Sequence, residues 1–177
     1  MRCSSNERRW AVRRQATKQV DAVARIGPQS PKALVRNDRA TKGNGGRMID
    51  GSCHCGAVRW SFDGVPEAAT ACNCTVCRRY GVLWAYDHED ERIRVSGPTR
   101  EYVTGARTIG FHFCPDCGCV AYWRAIAPGK DGRRRIAVNL RLADPEAVGA
   151  IVIDHFDGLV SFDDLPRDGR CVADMWF

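Results

Sequence analysis

The sequence predicts a mainly β domain with few short helices. Three observations predict it. From Gly51 onward, apolar residues alternate with polar ones at a period of two. Glycine and proline break that alternation at short intervals, at Gly64-Val65-Pro66, Gly97-Pro98 and Pro128-Gly129. Seven of the ten cysteines fall into three compact groups within the same stretch, spaced so as to tie distant parts of a small fold together. A chain of 177 residues suffices for one ordinary domain.

Residues 1–47 stand apart. They hold twelve Lys/Arg against three Asp/Glu, a balance of +9, and end in the Gly-rich run Thr41–Arg47. With little apolar surface to bury, this segment reads as a basic, disordered extension. Its Arg-rich, acid-poor start also has the composition of an organelle transit peptide. Met48, which opens directly on a strand-like motif, is a candidate for the true start. Residues 48–177 are expected to form the folded domain. They carry fifteen basic and eighteen acidic residues, so the net charge of +6 belongs to the extension. Nothing in the domain's composition points to the basic patch that nucleic-acid binding needs. No apolar run is long enough to span a bilayer, so no membrane partner is expected. No secretory pattern opens the chain, and the expected location is cytoplasmic. Thiols stay reduced there, so ten cysteines point to metal rather than to disulfides.

The elements follow in order. Cys53-His54-Cys55 is expected in a strand, because Val58, Trp60 and Phe62 alternate just beyond it; residues i and i+2 then share a side, and His54 faces away. Ile93 and Val95 predict another strand, as do Ile109, Phe111 and Phe113 leading to Cys114, then Ile136, Val138 and Leu140, and then Ile151–Ile153. Helix is confined to two places. Asp144-Pro145-Glu146 offers a capping side chain and a first-turn proline, and the residues after Cys74 suit a second short helix.

The cysteines supply the chemistry. Cys53-x-Cys55 and Cys114-x-x-Cys117 are two pairs far apart in sequence, and Gly118 follows the second. Four thiolates make a closed zinc site of the kind that holds a fold together. Cys72-x-Cys74-x-x-Cys77 is different, with three thiols in six residues. Three protein ligands leave one position for water or a substrate, as in catalytic sites. The alternative is a site closed by Cys119, Cys171, a histidine or a carboxylate. Cys119 and Cys171 otherwise read as packed thiols. Arg78 and Arg79 follow the trio and either favour thiolates and draw in an anion or form a solvated pair on a short helix.

Taken together, Gly51-Ser52-Cys53-His54-Cys55-Gly56-Ala57-Val58-Arg59, Cys72-x-Cys74-x-x-Cys77-Arg78 and Phe113-Cys114-x-x-Cys117-Gly118 resemble the glutathione-dependent formaldehyde-activating enzyme family, whose domain is shared with centromere protein V. The resemblance covers about residues 48–165. It implies an Mss4-like fold of packed antiparallel sheets stapled by zinc, with two zinc ions per chain. One would be structural, on Cys53, Cys55, Cys114 and Cys117. The other would be catalytic, on Cys72, Cys74 and Cys77, near a bound glutathione thiol. The implied activity joins a small thiol such as glutathione to formaldehyde or a similar aldehyde, or cleaves the adduct as a carbon–sulfur lyase. Asn73 stands where the family often has a histidine, and Cys119 where a serine or threonine is usual. The proton of such a reaction has His88, His112, His155, Tyr80 and bound water as candidate carriers. The centromere relative suggests the alternative, a non-enzymatic zinc module that binds macromolecules.

Overall fold

The computed structural model describes residues 46–176, so the basic extension read over 1–47 lies almost wholly outside the described residues. In chain order the strands are β1 (Met48–Ser52), β2 (Arg59–Asp63), β3 (Ala69–Cys72), β4 (Trp84–His88), β5 (Ile93–Ser96) and β6 (Arg100–Val103). They continue with β7 (Ile109–Phe113), β8 (Val120–Ala125), β9 (Arg135–Asn139), β10 (Ile153–Phe156) and β11 (Asp164–Leu165). Two one-turn helices, α1 (Cys77–Tyr80) and α2 (Pro145–Val148), complete the set with two short 3₁₀ turns. Among the described residues, no helix is long and apolar enough to cross a membrane.

The fold is mainly β, as the alternation predicts. A three-stranded sheet, β1-β2-β5, packs on an eight-stranded sheet ordered β11-β10-β3-β4-β9-β8-β7-β6. Every pairing is antiparallel except β3 with β10, which run parallel, with Ala69 opposite Ile153 and Cys72 opposite Phe156. The main core lies between the sheets. Ile49, Trp60, Phe62 and Ile93 from the small sheet meet Ala85, Ile136, Val138 and Ile153 from the large one, all essentially buried. A second apolar cluster covers the opposite face of the large sheet. It is built from Trp84, Phe111, Trp123 and Ala137, and Cys77 belongs to it. The large sheet is therefore covered on both faces. For this reason β9 is buried at four consecutive positions, where the period-two pattern predicts a half-buried strand.

Leu140 continues the apolar alternation but leaves the strand for a 3₁₀ turn, and Asn139 explains the switch. Its side-chain oxygen accepts from Leu83 N and Arg141 N, both at 3.2 Å, and its amide donates to Val120 O at 2.9 Å. Asn139 is buried, so Asn139→Ala strands three backbone groups. At roughly 1–3 kcal/mol for each buried group left unpaired, the expected loss of stability is about 3 kcal/mol or more, read as a lowered urea midpoint. Helix α2 forms as the sequence predicts: Asp144 caps it by accepting from Glu146 N at 2.8 Å, with Pro145 in the first turn.

Candidate metal centres

The first cysteine pair corrects one expectation. Cys53 and Cys55 lie just past the end of β1, in a tight turn rather than in a strand. Gly56 N donates to Cys53 O at 2.9 Å, and Gly56 takes a positive φ of 79° to close the turn. The regular alternation starts only at Val58. Both sulfurs still reach one point, because the turn folds them together. His54 is exposed.

The second pair makes an equivalent turn between β7 and β8. Gly118 N donates to Cys114 O at 3.0 Å with φ of 74°, a conformation glycine adopts without steric cost. The sulfurs of Cys53, Cys55, Cys114 and Cys117 all lie within 4.8 Å of one another. Cys55 Sγ is 3.5 Å from both Cys53 Sγ and Cys114 Sγ. Bonds of about 2.3 Å from zinc to sulfur give a tetrahedron with edges of about 3.8 Å, so the donor set fits such an ion. The spacing is far too long for a disulfide of about 2.05 Å, and all these cysteines are free thiols. Backbone N–H groups point at the sulfurs, as they do in thiolate sites. Val58 N donates to Cys53 Sγ at 3.2 Å. The N–H groups of Cys119 and Cys55 hold the Cys117 thiol down to about 5. Cys119 itself packs, partly buried, against the main core, as its packed-thiol reading has it.

The trio forms the second cluster, with the sulfurs of Cys72, Cys74 and Cys77 again within 4.8 Å of one another. Among the described residues no fourth Cys, His, Asp or Glu joins them within that distance. Cys171, one of the alternatives for closing the site, is held elsewhere by a bridge to Val152. Cys72 ends β3, Cys74 sits in the following turn, and Cys77 begins α1. Cys74 N donates to Cys72 Sγ at 3.4 Å and Cys77 N to Cys74 Sγ at 3.3 Å. From the second apolar cluster, Trp84 Nε1 donates to Cys77 Sγ at 3.2 Å. The neighbouring Cys77 thiol draws Cys72 down to about 6, against the opposing push of burial. Cys77 is pushed up by Cys72 first and by burial second. The trio thus ionises in steps, and a dication offsets the charge that resists the last one.

Arg78 and Arg79 form the exposed last turn of α1. Arg79 Nη1 donates to Thr75 O at 2.6 Å, which holds its guanidinium beside the trio's loop. Thr75 and Val76, between ligands Cys74 and Cys77, also line a cleft of about 420 Å³ with Arg79, Tyr80, Tyr102 and Thr104. The candidate proton carriers separate clearly. Tyr80 borders this cleft. His112 lies in β7 between Phe111 and Phe113, both in the trio's cluster, so its side chain falls on the other face. There it stacks on Tyr122 at 4.4 Å and meets Thr99 Oγ1 at 3.1 Å. Glu101 is 3.3 Å from its Nε2 without the alignment of a hydrogen bond. His155 shares the core-facing side of β10 with Ile153, its Nε2 3.1 Å from Asp168. His88 is at the far end of β4, 3.8 Å from Asp87. Sequence reasoning missed Tyr86, on the same face of β4 as Trp84. Its side chain is partly exposed, yet desolvation of the hydroxyl, which hydrogen-bonds Thr70, pushes that group up to about 12. Alternation from Trp84 was the available signal for it.

A β domain with two thiol-rich clusters, one of four donors and one of three, defines a class of protein whose cysteines could hold metal ions. The comparisons narrow the class. Residues 48–148 match the family described as glutathione-dependent formaldehyde-activating enzyme, and the chain belongs to that family. No curated protein matches it. Among solved structures, it is similar to the crystal structure of a Rhodobacter sphaeroides protein, at 26% identity and a TM-score of 0.46, covering 59% of this chain and 98% of that one.

Proposed function

We propose that this chain is a zinc-dependent carbon–sulfur lyase that forms and cleaves adducts between a small thiol such as glutathione and an aldehyde of the formaldehyde type. Cys72, Cys74 and Cys77 would hold the working ion, and Cys53, Cys55, Cys114 and Cys117 a closed structural one. The observation that carries the reading is the three-thiol cluster, joined by no fourth donor among the described residues, with Thr75 and Val76 of its loop lining a cleft, in a chain of this family.

Bound at the trio, zinc supplies a Lewis acid that favours a substrate thiolate and polarises a carbonyl oxygen. The residues around it do the rest. The N–H groups of Cys74 and Cys77 and the indole of Trp84 satisfy the ligand sulfurs and fix their directions. Arg79, at the cleft wall, offers a bidentate partner for a carboxylate of the thiol substrate. Addition forms one carbon–sulfur bond, and the proton lost by the thiol ends on the new hydroxyl. Tyr80, which lines the cleft together with Tyr102, is the proposed carrier of that proton. Cleavage runs the same steps backwards.

Cobalt-substituted protein titrated with millimolar glutathione tests the reading. Entry of a sulfur at the open position is expected to change the thiolate-to-metal absorption. A spectrum that stays constant up to saturation overturns it.

A further inference from the structure

Asp157 belongs to neither donor set, yet five hydrogen bonds converge on its carboxylate. Oδ1 accepts from Asn73 Nδ2 at 2.9 Å and from Leu159 N and Val160 N, each at 3.2 Å. Oδ2 accepts from Ser161 N and Ser161 Oγ, both at 3.1 Å. The backbone closes the same loop, with Phe162 N bonded to Asp157 O at 2.8 Å and Asp157 N to Asp163 O at 2.9 Å. Burial cannot be what orders this loop, because Val160 is 78% and Phe162 69% exposed. Its conformation is set by the carboxylate at its root.

What the loop touches gives that order a purpose. Asn73, the partner of Oδ1, is the residue between Cys72 and Cys74, and its own N–H bonds Phe156 O at 3.2 Å. Gly158 is buried against the same two cysteines. A Cβ on it would stand 2.7 Å from Cys72 Sγ and 2.9 Å from Cys74 Cβ, so the backbone already fills the available space. The segment 156–158 thus grips the trio's loop at both the main chain and the Asn73 amide.

We infer that Asp157 is a positioning residue for the three-thiol cluster: by fixing Asn73 and Gly158 against Cys72 and Cys74, it sets the separation of the sulfurs and so the affinity of that cluster for a metal ion. The inference rests on the reading of the trio as a metal site. Groups that orient ligands in this way typically change metal affinity by about 10–100-fold when removed. The four-thiol cluster shares no residue with the loop and should be indifferent to it.

The test uses the full chain. Zinc per chain is measured by elemental analysis, and the affinity of each site by competition with a chromophoric chelator, in wild type, Asp157→Ala, Asp157→Asn and Asn73→Ala. Wild type is expected to hold two zinc ions. Asp157→Ala and Asn73→Ala should keep one at wild-type affinity and bind the other about 10–100-fold more weakly. Asp157→Asn, which retains an oxygen acceptor for Asn73, should recover most of the loss. A wild type with one zinc overturns the reading of the trio itself. Two zinc ions in wild type, with second-site affinity unchanged in Asp157→Ala and Asn73→Ala, overturn the positioning role alone. If Asp157→Ala does not fold, Asn73→Ala decides: selective weakening supports the role, and unchanged or equally weakened sites overturn it.

Discussion

Cys114→Ser is expected to leave no folded domain at room temperature. Cys114 is fully buried, and its sulfur lies 3.5 Å from that of Cys55, 59 residues earlier. The first turn belongs to the small sheet and the second to the large one, so the cluster joins the two layers around the main core. A serine hydroxyl is a poor anion and a short, hard donor, which leaves three thiolates and an incomplete tetrahedron. Zinc at such sites contributes about 10–16 kcal/mol to folding in small peptides. Whole domains are stable by only about 5–15 kcal/mol, so with the proposed zinc at this cluster, losing most of such a contribution would exceed what the core can make good. Far-UV circular dichroism should show loss of the β signal, and elemental analysis loss of zinc. A variant that keeps its β spectrum without a cooperative loss of stability removes the structural role of this cluster.

Cys74→Ser is expected to do the opposite: to keep the fold and lose the chemistry. Cys74 is only partly buried, and its neighbours lie in the outer cluster of the large sheet rather than between the sheets. With two thiolates left, the second ion should be lost while the first remains, giving about one zinc per chain. Lewis-acid stabilisation of developing charge supplies several kcal/mol, and each 1.36 kcal/mol is tenfold in rate. Turnover of a thiol–aldehyde adduct should therefore fall by about a thousandfold or more, measured above the uncatalysed background. Thermal unfolding should move by only a few degrees. If Cys74→Ser and Cys114→Ser unfold the protein equally, the two clusters do not have separate roles.

Much of this arrangement is legible before any coordinates, and the limits are physical. Thiol spacing brings out both clusters because metal ligands recur as short local motifs: Cys53/Cys55 and Cys114/Cys117 as two distant pairs, and Cys72, Cys74 and Cys77 within six residues. Strands such as β2 and β7 are legible because one face is wetter than the other. The first cysteine pair reads as a strand because a tight turn and an extended strand both bring residues i and i+2 to one side. Alternation alone does not separate them; Gly56 was the local signal for the turn. Strand β3, Ala69–Cys72, carries no alternation, and its parallel partner lies 84 residues away. Asp157 and Gly158 were illegible for the same reason. An Asp-Gly pair announces a turn, and nothing local says that the turn rests on a thiol cluster.

The parallel pairing of β3 with β10 sets an order of assembly. On a nascent chain, the trio's thiols are complete once residue 77 is added, whereas the four-thiol cluster waits for Cys117. The frame that shapes the trio, from Ile153 to Gly158, comes later still. Contacts so distant in sequence form slowly, because the intervening loop must close first. The trio, whose ligand set is the first to be completed along the chain, thus waits for residues 153–158 before its shape is set.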